Sequence, residues 1–139
     1  MKSLTTLIRI KQREMDALRR QQDQLQKQRE ELHKIIDLLN QQLVHELKTA
    51  SAMPEMAHFF GDFAAAIKKR QQAMHLHLRK VEAELDKLAA QLREIFSEMK
   101  KYELALGNWE KRRADAAKKR DAQEMDEIAI RGYVRRDAV

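Results

Sequence analysis

The stretch MHLHLRKVEAELDKLAAQLREIFSEMKKYELALGNW, Met74–Trp109, decides the fold. Apolar side chains recur in it at alternating steps of four and three: Met74, Leu78, Val81, Leu85, Leu88, Leu92, Ile95, Met99, Tyr102, Leu106 and Trp109. The mean step is about 3.5 residues, the repeat that keeps one side of an α-helix turned toward a partner helix as the pair supercoils. Charged residues, Gln and Ala fill most positions between. The pattern predicts a long coiled-coil helix.

The N-terminal half carries a matching seam: Leu4, Ile8, Lys11, Met15, Leu18, Gln22, Leu25, Arg29, Leu32, Ile36, Leu39, Leu43 and Glu46. Lys11, Gln22 and Arg29 interrupt it. Polar seam residues fix register or oligomeric state at some loss of stability, and the long stems of Lys and Arg can lie along a seam with their heads in water. Between the seams, Lys48 to Asp62 reads KTASAMPEMAHFFGD and holds the chain's single Pro. Pro54 cannot occupy a helix interior without removing a hydrogen bond and clashing with the turn before it. The expected organisation is one coiled-coil domain over 1–139. Helix one runs over about 4–47 with Ser3 as N-cap, a turn covers about 48–62, helix two runs over about 63–130 with Asp62 as N-cap, and 131–139 fray. Gly107-Asn108 is a weak point at which helix two could bend.

Folding back at Pro54 brings Leu4 to the level of Trp109, where the second seam stops. Two seams that end together point to an intramolecular hairpin. The fold class read from this is all-α: a long antiparallel two-helix coiled-coil hairpin with a protruding C-terminal helix. Charge is unevenly placed along it. The total of +6 divides into +5 over 1–29, −4 over 30–62, +2 over 63–99, +5 over 100–120 and −2 over 121–139. A hairpin therefore joins two basic stretches at its open end and leaves the turn end acidic and apolar.

The other composition features exclude more than they specify. Three Gly, one Pro and 36% charged residues do not suit a compact globular domain of 139 residues. The absence of Cys excludes disulfides and thiolate metal sites and fits a reducing compartment. No run of about 18 apolar residues is present, and Met1-Lys2-Ser3-Leu4 leads directly into heptads, so neither a membrane span nor a secretory signal is expected. His75 and His77 lie two apart and point to opposite sides of a helix, so they cannot share a tetrahedral ion. His33, His45 and His58 add no ligand spacing, and no metal or other cofactor is expected. No phosphate loop, zinc-protease motif or activated nucleophile is present, and a helix pair offers no concave pocket for a small-molecule substrate. An enzyme is not expected.

Partner binding is the remaining role, and three groups of residues stand out. Phe59, Phe60 and Phe63 sit at the turn, where they either plug the hairpin tip or form an apolar patch. Lys111, Arg112 and Arg113, followed by Lys118-Lys119-Arg120, lie on a helix that has no partner. The third group carries a resemblance. Glu98-Met-Lys-Lys-Tyr-Glu-Leu-Ala-Leu, Trp109-Glu-Lys-Arg-Arg and Glu124-Met125-Asp126-Glu127-Ile128-Ala129 are similar to the flagellar export family FliJ and its YscO-type relatives in virulence secretion. These families are short, cysteine-free two-helix coiled coils. The Lys/Glu group of the second helix falls here on Lys100, Lys101 and Glu103, and the Met-Asp-Glu group on Met125, Asp126 and Glu127.

The resemblance implies a flagellar export component that looks like a rotary-ATPase stalk. It further implies binding to the ring of the export ATPase, FliI, contact with the cytoplasmic domain of the export gate, FlhA, and handling of export chaperones. The implied location is the cytoplasmic side of the inner membrane at the flagellar base. Two other readings rest on the residues alone. One is a basic nucleic-acid-binding coiled coil, which has few aromatics on which bases could stack; the other is a structural dimer bent at Pro54.

Overall fold

The computed structural model describes residues 2–137, and among them are two long α-helices, one short 3-10 turn and no strand. Helix α1 spans Lys2–Ala52 and helix α2 spans Ala57–Asp137, with the 3-10 turn at Pro54–Met56. The chain is all-α, and its helices form a hairpin.

The reversal is tighter than a loop over 48–62. Thr49 and Ser51 remain helical, their hydroxyls donating back to the carbonyls of His45 (3.1 Å) and Leu47 (2.9 Å). Met53 leaves the helix with φ −127° and ψ 88°, the extended backbone that a residue before proline prefers. Pro54 then opens the 3-10 turn, where its missing N–H is no loss. Met53 N–H donates to the Thr49 carbonyl at 3.0 Å and Met56 N–H to the Met53 carbonyl at 2.9 Å. The reversal is thus complete by residue 56, and His58-Phe-Phe-Gly-Asp62 already belongs to α2.

The expected caps are corrected accordingly. Asp62 is an exposed residue inside α2 and Ser3 lies inside α1, so neither caps a helix start. At the other end α2 continues past 130 through Gly132 to Asp137. One glycine costs a helix only about 1 kcal/mol, and Arg135 and Arg136 in the last turn favour the carbonyl end of the helix dipole. Gly107-Asn108 is helical as well. Val139 and Ala138, assigned to the frayed tail, lie outside the described residues.

The helices divide into two compact units, Glu14–Glu94 and the remainder, residues 1–13 with 95–139. In the first, Leu32 and Ile36 of α1 pack with Leu78, Val81 and Leu85 of α2, and Leu25 and Met74 close on this cluster. The amide of Gln71 donates to Asn40 across the pair. Later residues of α1 meet earlier residues of α2, so the pairing is antiparallel. In the second unit, Lys11 Nζ meets Glu98 Oε2 at 2.7 Å, which sets the start of α1 against α2 near Met99 and Tyr102.

Every seam position read from the sequence is buried or half-buried in its own unit. Val81 and Ile67 are the most enclosed, each 3% exposed. The α2 seam also begins earlier than Met74: Phe60, Ala64, Ile67 and Gln71 continue the same alternating steps back to the turn, and Ala50 does so on α1. Lys11, an interruption on paper, occupies its seam position by laying its stem inward and meeting a carboxylate at the edge.

Candidate partner-binding surfaces

The aromatic residues at the reversal belong to the unit Glu14–Glu94 and do not act alike. Phe60 is half-buried because it takes a seam position. Phe59 and Phe63 fall off the seam and are 64% and 37% exposed, beside Met53 at 58% and Met56 at 46%. His58 rests its ring edge-on against Phe59, centroids 5.9 Å apart. The three phenylalanines, Met56, Ala50, Thr49 and Glu46 line an open cleft of about 240 Å³. One carboxylate at the edge of an apolar cleft suits an apolar side chain from a partner, with a cation beside it.

The remaining candidates lie in the unit formed by 1–13 and 95–139. Lys100 is drawn into the helix surface: its ammonium pairs with Glu103 at 2.9 Å and sits 5.2 Å from the centre of the Phe96 ring. Glu103 is half-buried and Lys101 is exposed, so of these three Lys101 is the freest to meet a partner. Phe96, 46% exposed, was not legible as a candidate because it lies off the seam in a helix full of apolar residues.

Past Trp109 the helix changes character. Trp109 is half-buried, and every side chain described after it, from Glu110 to Arg136, is exposed. Arg113 lies over the Trp109 ring, 5.3 Å from its centre, which orients one cation of the Lys111-Arg112-Arg113 run. Farther along, Asp126 and Glu127 are exposed, and Met125 is 68% exposed. Ile128 of the family motif, Ile130, Tyr133 and Val134 are exposed by 58–68%. Among the described residues no group of His, Asp or Glu is placed to hold a metal ion, and no helix is long and apolar enough to cross a membrane.

An antiparallel helical hairpin whose second helix continues unpaired, cationic first and apolar farther on, defines an all-α coiled-coil protein. A family model described as Flagellar FliJ protein matches residues 1–138. The chain belongs to that family, and is therefore a component of flagellar protein export. Comparison with curated proteins and with solved structures returns no match.

Proposed function

We propose that this chain works as a stalk-like adaptor of the export apparatus, binding the export ATPase ring through the exposed part of α2 and the cytoplasmic domain of the export gate through the aromatic reversal. The observation that carries the reading is the helix after Trp109. It is cationic over 100–120, exposed at each described position from Glu110, and lies in a chain whose family serves flagellar export. A paired helix about 20 Å across can enter the central opening of a ring of subunits. Cations on its projecting end raise the rate of encounter with acidic ring surfaces.

At the reversal, Phe59, Phe63 and Met56 offer an apolar contact of the kind that anchors a protein interface, with Phe60 holding the helix end in place. Lys101 and the Met125-Asp126-Glu127 group extend the ATPase-facing surface. Export chaperones are the third class of partner, and the sites near the flagellar base follow from these contacts.

The test separates the two surfaces. Charge reversal at Lys111, Arg112 and Arg113 is expected to weaken binding to the purified ATPase by tenfold or more, on the order expected for lost charge pairs, and to leave gate binding unchanged. Serine at Phe59 and Phe63 is expected to do the opposite. Weakened gate binding in the first variant with intact ATPase binding refutes the division of roles.

A further inference from the structure

Within the exposed part of α2, residues 111–130 sort their charges into two blocks, and Arg131, Arg135 and Arg136 follow them. Residues 111–120 carry Lys111, Arg112, Arg113, Lys118, Lys119 and Arg120 against Asp115, a net +5. Residues 121–130 carry Asp121, Glu124, Asp126 and Glu127 with no cation, a net −4. A helix divided in this way is complementary to a copy of itself running in the opposite direction. Each cationic block then lies along the anionic block of the other copy, and one two-fold axis relates the pair. Parallel pairing would instead set like charges side by side along both blocks.

The apolar side chains are compatible with such an alignment. At about 100° per residue, Ala114, Met125 and Ile128 fall on one stripe of the helix, flanked by Ala122 and Ala129. Met125 is 68% exposed and Ile128 63% exposed, so the stripe is uncovered in the single chain. An antiparallel alignment that sets Met125 against Ala114 of a second copy sets Asp121 against Lys118 of that copy on the same stripe. Its axis falls between Lys119 and Arg120, one residue from the boundary between the charge blocks. In this register Met125 meets Ala114, and Ile128 meets Lys111, whose stem can lie along it with the ammonium in water.

We propose that the exposed part of α2 is a self-association surface whose occupant is a second copy of this chain, docked antiparallel about Arg120. The contact is short and its ion pairs are exposed to solvent, so the dimer is weak, reversible and sensitive to salt. The proposal stands apart from the choice of export partner, since it concerns the purified chain alone.

Analytical ultracentrifugation of the full chain tests it. The wild type is expected to rise in mass with concentration toward the dimer and to fall back as salt is added. Lys111→Glu with Lys118→Glu, and separately Asp121→Lys with Glu124→Lys, should each raise the dissociation constant about tenfold or more. An equimolar mixture of the two variants should dimerise again, because one then presents an anionic helix and the other a cationic one. A wild type that stays monomeric at all concentrations, variants that dimerise unchanged, or a mixture no better than its components overturns the proposal. Nitroxide labels on Ala114→Cys and Met125→Cys chains, mixed, should approach closely between copies. Close approach between two Ala114 labels would mean parallel pairing and also overturns it.

Discussion

At the level of single residues, what separates a seam side chain from a docking side chain is its phase on the helix. Phe59 and Phe60 are neighbours of one type, yet only Phe60 is half-buried. Serine at Phe60 is therefore expected to lower the melting temperature, and serine at Phe59 to leave it near the wild-type value; equal losses in thermal melts would contradict the assignment. Leu85, 7% exposed within the central cluster, should lose about 2–4 kcal/mol on replacement by Ala in urea unfolding. Apolar seam positions were legible because Leu, Ile, Val and Met announce burial. Ala64 and Gln71 were not. A small side chain carries little hydrophobic signal, and a glutamine reads as surface until the structure supplies Asn40 as its partner.

At the level of elements, the reversal shows how local hydrogen bonding overrides propensity. Lys48–Asp62 holds Thr, Ser, Pro and Gly, the residues from which a long turn is read, but the non-helical part shrinks to Met53 and one 3-10 turn. The Thr49 and Ser51 hydroxyls bond within α1, and Gly61 is helical in α2. A Cβ added at Gly61 would meet nothing within 4 Å. Gly61→Ala should therefore stabilise the chain by up to about 1 kcal/mol, read as a higher urea midpoint with an unchanged slope. A lower midpoint would mean that the glycine is needed for a contact not described by this geometry.

At the level of the whole molecule, function depends on how charge is distributed among paired and unpaired helix. The net charge of +6 says little by itself. The basic start of α1 and the basic stretch of α2 share one compact unit, and Lys11 of the first already pairs with Glu98 of the second. The cations after Trp109 lie on a stretch of α2 in which every described side chain is exposed. Binding of the ATPase should accordingly weaken as ionic strength rises, while gate binding through Phe59 and Phe63 should change little; titrations at two salt concentrations measure both. Matching salt slopes for the two partners would argue against separate polar and apolar surfaces.

The heptad spacing by itself determined two seam-bearing helices and the point at Trp109 where the second seam stops, and with the break at Pro54 it pointed to an antiparallel hairpin, because seam burial is a periodic property that a one-dimensional pattern can carry. Family membership was legible for the same reason, through short groups of residues at set places along the second helix. Only the tertiary structure decided how few residues make the reversal, that Phe60 belongs to the seam while Phe59 and Phe63 do not, and that Gln71 has a partner in Asn40. Those outcomes depend on which side chain from the other helix arrives opposite, and such a contact exists only once the two helices have come together.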